Sequence, residues 1–328
     1  MRVLVLGGTR FVGRSIVEAA LARGDKVSVL NRGVSRPAPE GVDTLIADRT
    51  DPRALGDAIG EREWDAVIDT WTGAPRAVRD SCALLAGRVG HYGYVSSRVV
   101  YDKPIPAGAD ESAPAIDGDP DDEADGFYPT AKRGSEIAVL RAFEDRALLA
   151  RPGPVFGRYE DVGSLTWWLR RIQRGGRVLA PGDPSDPLQY VDVRDFSTWM
   201  LDATERRLPG TFNTLCRPGS HTMGELLDTM RRVTRSDAEL VWVADDVLLS
   251  AGIRPYLDLP LWLPGKGGGM HDADVSAAHD AGLDTSRPLD DTVADAWSWL
   301  RREGEPPWQD TSRGLDRSLE QRVLDRLG

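Results

Sequence analysis

The opening stretch Met1-Arg2-Val3-Leu4-Val5-Leu6-Gly7-Gly8-Thr9-Arg10-Phe11-Val12-Gly13 narrows the fold more than any other part of the chain. Val3 to Leu6 is a continuous apolar run, as expected of a strand covered on both faces in a parallel sheet. Glycines follow at once, and Phe11, Val12, Ile16, Val17 and Ala20 then recur at helical spacing. Strand, tight turn, helix: this order aims the free amides and the positive dipole end of a helix at a bound phosphate. Gly7 allows the turn, and Gly13 lets the helix lie close to the strand. Thr9, Arg10, Phe11 and Val12 complete the expected cradle. A strand–helix turn that binds nothing has the same local pattern, so the reading needs the rest of the chain as a frame.

That frame is present. Lys26–Leu30, Thr44–Ala47, Ala66–Ile68, His91–Val95 and Ala147–Ala150 read as further strands, with helical stretches such as Pro75 to Ala86 between them. The alternation predicts an α/β fold, a Rossmann-type doubly wound parallel sheet. Ligands bind such sheets at the carboxyl ends of the strands. The candidate cofactor contacts are therefore Asn31 and Arg32, Asp48 and Arg49, and Asp69 and Thr70. A carboxylate at the second strand end would bond the ribose 2′-hydroxyl of NAD, whereas an Arg can hold the 2′-phosphate of NADP. Here Asn31-Arg32 stands at that end, so NADP is the expected cofactor and NAD the alternative. A solvated loop cation is the plain reading of Arg32. For Asp48, contact with adenine competes with capping of the following loop.

Three residues further along suit proton transfer beside a nicotinamide. Ser97 closes the fifth strand, and Tyr128 and Lys132 are four apart on one face of the next helix. Moving a hydride to a carbonyl carbon requires a proton on its oxygen. A phenol ordinarily titrates near 10, and a neighbouring ammonium is expected to lower it toward working pH. Tyr128 then serves as acid or base, Lys132 supplies the charge, and the Ser97 hydroxyl holds the substrate oxygen. A Tyr-x-x-x-Lys alone is an ordinary helix face; its weight comes from following the glycine turn and the strand-end serine.

Together Gly7, Gly13, Ser97, Tyr128 and Lys132 resemble the extended, atypical branch of the short-chain dehydrogenase/reductase superfamily, with its epimerase/dehydratase-like members. The resemblance extends to Glu111, to Glu136, to Arg151-Pro152 through Val155-Phe156-Gly157, and to Leu188 through Asp195. It implies that Ser97, Tyr128 and Lys132 are catalytic, and that Pro152 and Val155 lie by the nicotinamide. It also implies a substrate cleft against a smaller C-terminal domain, with Arg98, Trp168, Gln189 and Arg194 as candidate lining residues. Aromatics there are more often core, and Arg194 could instead pair with Asp192 or Asp195. Arg10 replaces the middle glycine of the usual turn, as in a subgroup whose members have in part lost the catalytic set; this chain keeps it.

On this reading residues 1–157 with about 188–214 form the dinucleotide-binding domain. Residues 158–187 and 215–328 form a mostly helical substrate domain. From Met223 onward helices with Pro-rich joints are expected, including Arg254-Pro255-Tyr256. Lys103 to Gly126 is rich in Pro, Gly, Asp and Glu and reads as a solvated loop; its acids lack the ligand order of a calcium loop, so no metal site is expected.

Composition sets the remaining bounds. A chain of 328 residues with 41% hydrophobic and 28% charged residues has the make-up of a soluble globular protein. The net charge of −11 argues against nucleic acid or an anionic membrane as partner. Cys82 and Cys216 are the only cysteines, which points to a reducing compartment, and no run reaches the ~18 apolar residues of a membrane span. A cytoplasmic enzyme acting on a small molecule is expected, with a homodimer left open. The leading expectation is an NADP-dependent oxidoreductase of a polar carbonyl compound. An NAD-dependent sugar-nucleotide epimerase or dehydratase, and a non-catalytic nucleotide sensor, are the alternatives.

Overall fold

The computed structural model describes residues 1–265, 268–304 and 312–327. Its central sheet contains β1 (Arg2–Leu6), β2 (Lys26–Asn31), β3 (Asp43–Ile46), β4 (Ala66–Asp69), β5 (Tyr92–Val95), β6 (Ala147–Pro152) and an edge strand, Gly210–Thr214. The order is edge strand, β6, β5, β4, β1, β2, β3, and every neighbouring pair is parallel. The strand order reverses at β1, which places a crevice at its carboxyl end.

β1 shows why its sequence has no polar face. Val3 and Val5 pack with Ile16 and Val17 of helix α1 (Phe11–Ala22) and with the helix Val193–Glu205 on one side. Leu4 and Leu6 pack on the other side with Leu55, Val78 and Val139 of helices α2 (Pro52–Ile59), α3 (Pro75–Leu85) and α4 (Tyr128–Phe143). Alternate side chains thus enter two separate cores, and all four are essentially without exposure. Each such side chain contributes on the order of 1.5–3 kcal/mol of burial.

A third apolar cluster runs from Phe156 to Leu324, with Trp168, Trp262 and Trp299 buried in it. It is not wholly helical: Glu239–Val243 is a strand pairing in parallel with Arg177–Pro181. The segment 103–126 has no helix or extended strand, as its composition predicts. Among the described residues no helix is long and apolar enough to cross a membrane, and no cluster of His, Cys, Asp or Glu could hold a metal ion.

Candidate active site

A cleft of about 770 Å³ opens over the carboxyl ends of β1, β2, β4 and β5. Gly7, Thr9, Arg10, Phe11, Val12 and Gly13 form one wall. Gly7 and Gly8 have φ of 115° and 89°, which side-chain-bearing residues rarely adopt. At Gly13 the limit is space, because a Cβ would stand 2.7 Å from the main-chain nitrogen of Gly8. Helix α1 begins without a side-chain cap and without an acidic residue in its first turn. Its leading amides and dipole therefore face the cleft uncompensated by a side chain, which fits a diphosphate.

At the end of β2, Asn31 Oδ1 accepts from the Gly33 amide at 2.7 Å and shapes the turn. The other amide atom, Asn31 Nδ2, is buried with no protein partner and belongs to the cleft wall. Arg32 lines the same wall, is exposed, and makes no ion pair among the described residues. The residues present thus fit a dinucleotide, from the glycine turn to a cation at the second strand end.

The other strand-end candidates do different work. Asp69 is fully buried and grips Arg49 through two bonds of 2.6 and 2.8 Å, while Tyr92 donates to it at 2.6 Å. Its expected contact with the cofactor is corrected: the Arg49 guanidinium holds this carboxyl below its ordinary range against the cost of burial, and no face of it lines the cleft. Arg49 reaches the cleft wall with its charge already spent on Asp69. Asp48 is also corrected. It accepts from the Thr50 amide and hydroxyl at 3.0 and 2.7 Å, which is the loop-capping role, and lies outside the cleft. Thr70 lines the cleft, its hydroxyl donating to Leu6 O at 3.0 Å. Arg10 lines it too, with its guanidinium on Asp161 at 2.7 Å.

Ser97, Tyr128 and Lys132 meet at the opposite end, together with Pro152 and Val155. Ser97 caps the turn Arg98–Val100, and its hydroxyl lines the same wall as the Tyr128 phenol and acts to lower it. Tyr128 is the first residue of α4, and Pro129 follows where a missing N–H costs nothing. Lys132 lies one turn on, with Nζ 5.9 Å from the Tyr128 ring centre. The same Nζ donates to Trp71 O and Val95 O, both at 2.6 Å, leaving one proton for a further acceptor.

The electrostatics differ from the expectation that Lys132 lowers the phenol. Tyr128 keeps 42% of its surface open to the cleft, but withdrawal of its hydroxyl from water pushes the phenol up to about 12. Ser97 and Arg313 pull it partway back. Burial brings the Lys132 ammonium down to about 7, against the pull of the Asp69 and Glu136 carboxylates. The phenol is therefore neutral at neutral pH and able to give a proton. Beneath it, Glu136 is buried between Arg151, at 2.8 Å through both oxygens, and Ser96, which donates at 2.7 Å.

Comparison with known proteins shows the family. The NAD dependent epimerase/dehydratase family matches residues 3–214. The chain belongs to that family. Among curated relatives, 3-diazoavenalumate denitrifying reductase of a Streptomyces species is 30% identical over 48% of this chain and 57% of its own. 2′-Dehydrokanamycin reductase of Streptomyces kanamyceticus is 32% identical over 56% of this chain and 52% of its own. The chain thus spans little more than half the length of these two. Among solved structures, the Bordetella bronchiseptica enzyme WbmG in complex with NAD and UDP has a TM-score of 0.69 at 16% identity, covering 94% of this chain and 97% of its own. UDP-glucose 4-epimerase from Thermotoga maritima with UDP-glucose has a TM-score of 0.67 at 18% identity, covering 92% and 99%. At such identities the likeness establishes the fold.

On the substrate side the lining expected from the family resemblance is corrected. Trp168 is fully buried and donates to Pro260 O at 2.7 Å, so it is core. Gln189 is equally buried, spending its amide on Cys216 O, Ala273 O and the Ala273 N–H. Arg194 closes on Asp192 at 2.7 and 3.0 Å, the pairing foreseen as its alternative. Arg98 is buried and donates to Gly269 O at 2.7 Å. None of the four lines the cleft. Its C-terminal wall is made instead by Glu160, Asp161, Val162, Ser164, Tyr256 and Arg313. Sequence reasoning missed these residues, although Tyr256 stands in a Pro-marked joint that signals a fixed turn.

Proposed function

We propose that the protein is an NADP-dependent oxidoreductase that reduces the carbonyl of a polar small molecule, with Ser97, Tyr128 and Lys132 as its catalytic residues. The observation that carries this reading is the convergence in one cleft of Ser97, Tyr128, Lys132 and an uncapped glycine-turn helix. Bound NADPH would supply the hydride. Gly7 through Gly13 would hold its diphosphate, and Arg32 its 2′-phosphate. Ser97 orients the substrate oxygen, and Tyr128 delivers a proton to that oxygen as the carbon receives the hydride, so that carbonyl becomes carbinol. A phenol kept protonated by its surroundings suits this direction. Lys132 holds the backbone at Trp71 and Val95 and would offer its remaining N–H to the cofactor ribose. We further assign residues 158–187 and 215–328 to substrate binding.

Support for reduction comes from the two Streptomyces relatives, both reductases. Epimerisation is the second reading, favoured by the fold shared with UDP-glucose 4-epimerase. Cofactor consumption separates the two. The purified chain, given NADPH and a panel of polar ketones, quinones and sugar nucleotides, should oxidise NADPH in step with product. Conversion without net loss of added NADPH would overturn the reductase reading in favour of the epimerase.

A further inference from the structure

Arg10 and Asp161 join the two walls of the cleft. Both line it, and one carboxylate oxygen of Asp161 accepts from Arg10 Nε at 2.8 Å and lies 2.7 Å from Nη2. Arg10 is the residue before α1, whose leading amides face the diphosphate position. The segment that carries Asp161 is fastened to the same helix further along. Tyr159 has φ of 69°, an unfavourable conformation for a residue with a bulky side chain. Its hydroxyl donates to Glu18 of α1 at 2.8 Å, and the same Glu18 oxygen accepts from Arg14 at 2.7 Å. On the other side Glu160 is buried, and its two oxygens accept from the Ser164 and Thr166 amides at 3.1 and 3.0 Å. Asp161 is therefore set beside Arg10 by the fold of its own segment.

A diphosphate at the glycine turn and the Asp161 carboxylate are rival anions for one guanidinium. With Arg10 held by Asp161, the pair brings no net charge to the diphosphate position. The Asp161 side chain is only 10% exposed, so its repulsion of a neighbouring phosphate is screened less than it would be in water. Helix α1 has no acidic residue in its first turn, so this opposing charge reaches the turn from the far wall. We infer that Asp161 is a release residue: by holding Arg10 it keeps that charge from the diphosphate, so that main-chain amides hold the dinucleotide and it exchanges after each turnover. A dinucleotide oxidised in every cycle must leave before the next, whereas one that takes its hydride back can stay bound. Asp161 suits the first case. The inference rests on the reading of the glycine turn as the diphosphate site and of the reaction as one that consumes its cofactor.

The test measures binding and release without turnover. Wild type, Asp161→Asn, Arg10→Met and the double variant of the full chain are titrated calorimetrically at low salt with NADPH, NADH and ADP-ribose, which share the diphosphate. Stopped-flow fluorescence follows release of NADPH. Asp161→Asn should bind all three about 10-fold more tightly and release NADPH more slowly by a similar factor. The gain should shrink as salt is raised. Arg10→Met leaves the carboxylate facing the diphosphate and should weaken all three, while the double variant should return to within ~3-fold of wild type. Asp161→Ser, equally neutral and smaller, repeats the measurement if the asparagine variant melts early. Unchanged or weaker binding in the neutral variants, faster release, or a gain confined to one nucleotide overturns the inference. Wild type that binds none of the three overturns the cofactor reading, and the inference with it.

Discussion

Lys132 Nζ donates to the main-chain oxygen of Val95 at 2.6 Å, so the helix that begins at Tyr128 is pinned to the end of β5, two residues before Ser97. The bond makes the separation of the two hydroxyls a property of the fold and not of flexible side chains. It also requires an amine buried to 2% exposure, with a basicity drawn down from 10.5 to about 7.

That depression gives a signed pH dependence. Folded protein binds fewer protons at Lys132 than unfolded protein between pH about 7 and 10.5, so the penalty is complete below that window and is relieved as pH rises through it. Cofactor-free wild type should therefore gain stability relative to Lys132→Met from neutral to alkaline pH, by more than about 1 kcal/mol. Urea unfolding of both proteins across that range measures it. Parallel stability curves would show that the lysine titrates as it does in water.

The strand-end carboxylates should separate cleanly. Asp69→Asn leaves Arg49 buried without its counter-charge and should cost about 3–5 kcal/mol. Asp48→Asn touches only an exposed turn, so its cost should stay within about 0.5 kcal/mol. Denaturant midpoints decide, and equal losses would mean that the buried pair is not holding the β4 end.

These two aspartates also show what spacing alone can reveal. The glycine turn, the run Val3–Leu6 and the alternation of strands and helices are local patterns, and they carry the parallel sheet and the cleft position. Which strand-end acid meets the cofactor is not local. Asp69 is taken by an arginine that arrives from β3, and Asp48 by its own turn. Trp168 and Gln189 are satisfied by main chain from Pro260 and Ala273, far along the sequence, so nothing near them signals burial. The strand Glu239–Val243 escapes notice because its partner, Arg177–Pro181, lies beyond two intervening helices and the edge strand of the central sheet. Tyr256 enters the cleft through the folded loop between Arg254 and Trp262, and Arg313 lies over its ring from far along the sequence.

Close packing at the glycine turn leads to a third expectation. Gly13→Ala sets a methyl group 2.7 Å from Gly8 N, a main-chain atom that cannot yield without shifting the turn. It should destabilise the protein by about 1–3 kcal/mol and weaken NADPH and NADH alike. A neutral outcome in both melting and titration would mean that the turn is looser than its geometry.

Arg32 should act on one cofactor only. Its exposed guanidinium at the β2 end has no ion-pair partner among the described residues. Arg32→Ala should cost NADPH roughly 1–3 kcal/mol of affinity and leave NADH unchanged. Fluorescence titration with both nucleotides reads the difference directly, and equal affinities in wild type would contradict the NADP preference.

The fate of the transferred hydrogen tests the central claim most directly. Substrate is incubated with NADPH carrying deuterium at the transferable C4 position, and product and cofactor are counted by mass spectrometry. Wild type should place one deuterium on the former carbonyl carbon for each NADPH oxidised. Tyr128→Phe should slow that transfer by ~10²-fold or more while binding NADPH normally. Product that forms without label and without loss of NADPH, or a Tyr128→Phe variant that transfers deuterium at the wild-type rate, would contradict the account.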